Sequence, residues 1–165
     1  MAVFNGKQME PFHSGEVFHL WSYLYNTQCY MVTLQVFINH TDDQQLNEIL
    51  NDMLENLFKE EQEQVEAILK ETGIRLPPSP PDRPNVEVQD IPAGARFNDS
   101  EIVQLVLKEL LNSKLACSYL VGISIFQDIR TLFQDFQTQL SEFEFKLIQI
   151  AKEKGWYTAP PINIK

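Results

Sequence analysis

The sequence holds one short constellation with metal-ligand chemistry, Glu16-Val17-Phe18-His19, whose i, i+3 spacing puts a carboxylate and an imidazole on one side of a helix. Four-helix bundles that bind paired metals use that motif twice and add one glutamate from each of the other two helices. The rest of the chain supplies less than this template asks. Glu61 and Gln64 repeat the spacing in a later acidic stretch, with an amide where the imidazole would stand. Farther on, Asp128, Asp135 and Glu142 are available, and no histidine accompanies them. Glu16, His19, Glu61 and Asp135 therefore form at best three acids and one imidazole, short of four carboxylates and two histidines. The expectation is a vacant remnant or a single weakly held ion, with His19 hydrogen-bonded to Glu61 or Gln64 as a polar plug. The plainer reading makes Glu16 a first-turn partner of the helix dipole and His19 an ordinary hydrogen-bonded histidine. His13 and His40 flank the same helix and read as solvated loop residues.

Other chemistry finds no support in the residues. Cys29 and Cys117 sit among apolar neighbours, where free buried thiols are common, so neither a disulfide nor a nucleophile is expected. No Gly-rich phosphate loop occurs, no nucleophile is flanked by a candidate base, and no cofactor is called for. A net charge of −10 opposes nucleic-acid binding, which needs a basic face, and favours protein partners. No apolar run approaches the ~20 residues of a membrane span. Met1 to Pro11 lacks the pattern of a secretory signal, which gives an expectation of cytoplasmic synthesis.

The elements that position these residues follow from periodicity and caps, and suit a single domain over residues 1–165. A first helix over 14–39, capped by Ser14, carries Val17, Leu20, Leu24, Met31, Leu34 and Ile38 on one face. A second over 42–72 opens at Thr41-Asp42-Asp43-Gln44, carries Leu46, Ile49, Leu50, Met53, Leu57, Val65 and Ile68, and stops at Gly73. Ten acidic residues against two lysines make it the most acidic segment, a solvated outer face or a docking face for a basic partner. Its apolar stripe lapses between Leu57 and Val65, where Glu61 or Gln64 must turn inward.

Residues 74–98 contain Pro77, Pro78, Pro80, Pro81, Pro84 and Pro92, which forbid a helix and make an extended connector. A 26-residue helix is about 39 Å long, and an extended segment of this size crosses that distance with slack. Asn98-Asp99-Ser100-Glu101 opens a third helix over 99–125, and a turn near Ser124 to Asp128 leads into a fourth over 128–154. Two antiparallel hairpins joined by a long crossover between helices two and three is the ferritin-like arrangement of a four-helix bundle. Gly73 and Asp99 should therefore lie at opposite ends. Gly155 ends the last helix, and Trp156 should fold back onto it.

Several of these residues together resemble a known family: Glu16 with Leu20-Trp21, Ile74-Arg75-Leu76-Pro77, Asp99, Gln127-Asp128-Ile129-Arg130, and Gly155-Trp156-Tyr157 with Pro160-Pro161. Their order and spacing are similar to those of ferritin-like proteins from endospore-forming bacteria, described as spore coat proteins and similar to spore coat protein F. The resemblance implies a non-enzymatic structural or assembly role in sporulation, partners among coat components, a homo-oligomer as a further option, and a spore coat location. A metal-binding ferritin-like protein that keeps a partial Glu-x-x-His site is the alternative.

Overall fold

The computed structural model describes residues 11–161. Its long helices are α1 (Ser14–Asn39), α2 (Gln44–Met53), α3 (Lys59–Glu71), α4 (Asp99–Ile123) and α5 (Gln127–Glu153). A π-helical turn over Leu54–Phe58 joins α2 to α3, so the two make one continuous rod and the molecule is a bundle of four rods. No strand occurs among the described residues.

Each start is explained by its cap. His13, not Ser14, caps α1: its ring accepts the Glu16 N–H while the Glu16 carboxylate accepts the His13 N–H. Imidazole Nδ1 sits where a serine hydroxyl would, so Ser14 becomes the first helical residue. Asp43 caps α2 through the Leu46 N–H, and Thr41 braces the cap by accepting the Asp43 N–H. Asn98 and Glu101 form the expected reciprocal box on α4. Gly73 (φ 72°) ends α3 with Ile74 N–H on the Leu69 carbonyl, and Gly155 (φ 74°) ends α5 with Trp156 N–H on the Ala151 carbonyl. Both are Schellman endings that a Cβ would strain. Trp156 packs against the core at the second of them.

The path of the chain is fixed by contacts between rods. Tyr23 meets Glu61 and Ile38 meets Asn47, so α1 and the α2–α3 rod are antiparallel. His13 reaches Ile123 at one end of the bundle and Phe37 packs on Phe97 at the other, so α4 also runs antiparallel to α1. Lys154 pairs with Asp43, which sets α5 antiparallel to α2. The α2–α3 rod and α4 are therefore parallel, with Gly73 and Asp99 at opposite ends as expected.

The connector lies along α1. Trp21 donates to the Arg75 carbonyl, Gln35 bonds Asp82 and the Arg83 N–H, and Asn39 bonds Pro84 and the Val86 N–H. Side chains of α1 thus serve four backbone groups of the proline-rich stretch, the Arg75 and Pro84 carbonyls and the Arg83 and Val86 N–H groups. Two short 3-10 turns, Val88–Asp90 and Ala93–Ala95, tighten its last third. Leucine, isoleucine and phenylalanine from all four rods fill one core, with Phe58, Phe133 and Phe136 its largest fully buried side chains.

Candidate functional site

The polar groups that enter the bundle do so at two levels. At the end where α1 begins, Glu16 is fully buried and its carboxylate faces the turn between α4 and α5. One oxygen accepts the Ser124 hydroxyl at 2.7 Å and the Ile125 N–H at 2.9 Å; the other accepts the His13 N–H at 3.2 Å. The His13 ring closes the cluster, 3.4 Å from that second oxygen and 3.3 Å from the Ile123 carbonyl. Glu16 therefore supplies the acceptor that the Ser124 hydroxyl and the Ile125 N–H of the α4–α5 turn would otherwise lack, and clasps the two hairpins together. His13, expected as a solvated loop residue, is a member of this clasp.

Deeper along α1, Tyr23, Glu61 and Cys117 form a second group. The Tyr23 hydroxyl donates to Glu61 Oε2 at 2.8 Å, and Cys117 Sγ lies 3.4 Å from the Tyr23 oxygen as its donor. All three are buried, and Glu61 Oε1 has no hydrogen-bond partner. Burial pushes the Glu61 carboxyl up to about 8, with the Tyr23 bond pulling only partly the other way. Burial likewise raises the Cys117 thiol to about 12 and the Tyr23 hydroxyl well above its ordinary value. At neutral pH the group is an uncharged acid, phenol and thiol, with the Tyr23 ring edge-on to Phe133 and stacked on Phe136.

The expected polar plug is not formed. His19 lies beside Tyr119 of α4, ring centroids 4.4 Å apart, and edge-on to Phe18, half-buried at the bundle's flank. Three residues beyond Glu16 is 60° short of a full turn, enough to swing the imidazole out of the core toward α4. Tyr23, two turns beyond Glu16, takes the inward place and the bond to Glu61. Gln64 is exposed, because the π turn advances the rod by one residue and hands the inward position to Val65. Asp135 is exposed on α5. The four candidate ligands Glu16, His19, Glu61 and Asp135 thus occupy four different surroundings, and no three His, Cys, Asp or Glu side chains converge on a metal-sized space among the described residues.

The remaining sequence candidates are placed as follows. His40 binds the Val36 carbonyl and packs on Phe97, a helix-end contact rather than a free loop residue. Cys29 and Cys117 are free thiols, Cys117 fully enclosed and Cys29 half-buried. No described helix is long and apolar enough to cross a membrane. Tyr23 was missed by motif reading because a tyrosine in an aromatic-rich helix carries no spacing signature. Its only sequence signal is its phase, seven residues from Glu16 and on the same face.

Comparisons with known proteins agree with the all-helical fold. A family model described as "Protein of unknown function (DUF3231)" matches residues 3–165, and the chain belongs to that family. It is similar to the Bacillus subtilis (strain 168) protein named "Uncharacterized protein YvdQ", 36% identical over all of this chain and 97% of the relative. The crystal structure of a candidate spore coat protein from Bacillus halodurans C-125 is similar at 36% identity and TM-score 0.91, covering 94% of this chain and 98% of that one. A conserved hypothetical protein of Mycobacterium tuberculosis shares the fold at TM-score 0.67 and 12% identity, over 84% of this chain and 98% of that one.

Proposed function

We propose that this family member is a non-enzymatic structural or assembly protein of sporulation that is taken into the spore coat. The observation that carries this reading is the relationship, along nearly the whole chain, to the Bacillus halodurans protein described as a candidate coat component. The chemistry of the buried groups supports it. Glu16 is spent on holding a turn, and Glu61 is a neutral acid at pH 7 with one hydrogen bond, so neither is free to act on a substrate. The ferritin-like alternative, a bundle with a partial Glu-x-x-His metal site, is not favoured, because His19 and Glu61 point to different places.

The test is location. A fluorescent fusion of the chain expressed in sporulating Bacillus subtilis should form a ring around the forespore and remain in the coat extract of released spores. Fluorescence left diffuse in the mother cell, with no protein in that extract, sinks the coat assignment. In parallel, untagged protein analysed for iron, manganese and zinc should hold none in fixed ratio. Near-stoichiometric metal that disappears in Glu16→Ala supports the ferritin-like alternative instead.

A further inference from the structure

A recess of about 460 Å³ opens between α1, α4 and the second half of the connector, close to the end of the bundle where Phe37 packs on Phe97. Its size is that of a small-molecule site. Val36 and Phe37 of α1, Leu105 of α4 and Phe97 of the connector supply its apolar lining. The Phe97 ring stands edge-on to Phe37, centroids 5.5 Å apart, and stays 38% exposed, so part of it is left uncovered beside the opening. Long connections inside a compact domain ordinarily carry function, and this one contributes both Phe97 and Arg83 to the lining.

The polar groups of the recess lack partners. Tyr30, which lines it, is buried, and its hydroxyl has no hydrogen bond, a costly state for a donor held away from water. Glu109, half-buried on α4 in the same lining, has no hydrogen bond or ion pair either. It lies near enough for its charge to add to burial in raising the Tyr30 hydroxyl, yet no bond joins the two. Arg83 and Lys108 complete the charged lining. With Arg75 they are the only lysines or arginines among the described residues whose side chains make no hydrogen bond, ion pair or ring contact. In a chain of net charge −10, with acids in excess, two cations left unpaired at one recess point to an anion from outside. Both are exposed and long-stemmed, so each can fold over the opening.

We propose that this recess binds a small hydroxylated aromatic monocarboxylate, its ring against Phe37 and Phe97, its carboxylate under Arg83 and Lys108, and its hydroxyl between Tyr30 and Glu109. Each part of the ligand answers a group of the lining. Two phenylalanine rings favour a flat aromatic guest, which gains edge and face contacts beyond its buried area. Arg83 and Lys108 against Glu109 leave one positive charge, which suits a single carboxylate and opposes a dianion. A hydroxyl both accepts and donates at one atom, so it takes the Tyr30 proton and gives its own to Glu109. This inference does not depend on the coat assignment, because it concerns the purified chain alone.

Isothermal titration calorimetry of the full chain with para-coumarate tests it, since that acid carries its hydroxyl and carboxylate at opposite ends of a flat body. The expected dissociation constant is on the order of 100 µM, ordinary for a ligand of this size. Cinnamate, which lacks the hydroxyl, and para-coumaramide, which lacks the charge, should each bind about fivefold more weakly. Arg83→Ala and Lys108→Ala should each weaken para-coumarate about fivefold, whereas Arg75→Ala, at the third unpaired cation and outside the recess, should change nothing. Tyr30→Phe should abolish the preference for para-coumarate over cinnamate with unchanged helical circular dichroism. Should that variant not fold, Glu109→Ala, at a half-buried position, should abolish the same preference. Absence of saturable binding up to ~5 mM overturns the proposal, as do equal affinities for the three compounds, a preference for the hydroxyl that survives in these variants, or a loss with Arg75→Ala equal to that with Arg83→Ala.

Discussion

Replacing Glu61 with glutamine should make folding stability nearly independent of pH between 5 and 8, where the wild-type chain loses it steadily. In the unfolded chain the Glu61 carboxyl ionises near its ordinary value of 4.5, and in the folded chain burial raises it to about 8. Between these two values the folded state holds a proton that the unfolded state has released. The unfolded state is therefore favoured progressively as pH rises, and the loss is complete only above the folded value. Each unit of separation is worth about 1.4 kcal/mol, so the descent from pH 5 to pH 8 amounts to about 4 kcal/mol. Tyr23 and Cys117 do not blur this window, since both are raised and stay neutral throughout it. Asp43, held low by Lys154, acts in the opposite sense only as pH falls through the acid range. Glu66 does the same: burial raises its carboxyl, and Lys70 and Gln62 more than offset that. Glutamine keeps the shape of the neutral acid and can still accept from Tyr23, so the variant mimics the protonated side chain at every pH. Urea titrations at pH 5, 6, 7 and 8 provide the assay. With a urea dependence of about 2 kcal/mol per molar, the wild-type midpoint should fall by about 2 M across the series and that of Glu61→Gln should barely move. Parallel pH dependence in the two proteins would refute the assignment of a buried, neutral Glu61.

Two further perturbations probe the ends of the bundle. Glu16→Ala removes the acceptor for Ser124, the Ile125 N–H and the His13 N–H, and should cost about 3 kcal/mol in urea unfolding, with the Ile125 amide losing hydrogen-exchange protection; a loss below about 1 kcal/mol would mean that the clasp is solvated. Ending the chain after Lys154 removes Trp156 from the core's edge and the backbone bonds onto the Ala151 carbonyl, and should cost about 2 kcal/mol. Unchanged thermal unfolding of that truncation would show that Trp156 does not dock.

Much of the architecture was legible because it rests on local rules. The prolines of residues 74–98, the glycines at 73 and 155, and the box at Asn98 and Glu101 each dictate backbone geometry without reference to distant residues. Helix ends within one or two residues of those seen, and the crossover topology itself, follow from them. The turn after α4 was less legible: the helix stops at Ile123, two residues early, because Ser124 is extended and its hydroxyl is taken by Glu16, a partner 108 residues away. His13 as a cap was hidden for a simpler reason, since an imidazole seldom stands where serine or aspartate does.

The candidate site was misread at His19, which lies beside Tyr119 instead of meeting Glu61, and of the two residues offered for the inward place only Glu61 takes it, for a geometric reason. Gln64 stands 18 residues after Leu46, five whole turns in an uninterrupted α-helix, so an unbroken rod would bring it into the core beside the leucines. The sequence Leu54-Glu55-Asn56-Leu57-Phe58 gives no sign of a π turn, having neither Gly nor Pro, yet Lys59 N–H reaches back to the Leu54 carbonyl. That extra residue lets Leu57 and Phe58 both enter the core and carries the apolar phase on to Val65. Glu61 stays inside only because Tyr23 is there to donate to it. An acid that reads in sequence as half of a metal motif is thus held in place by a tyrosine, and its neighbouring amide is turned to solvent by a single helical irregularity. Ligand motifs read at fixed spacing in a long helix assume a constant phase, and here that assumption fails three residues before the motif begins.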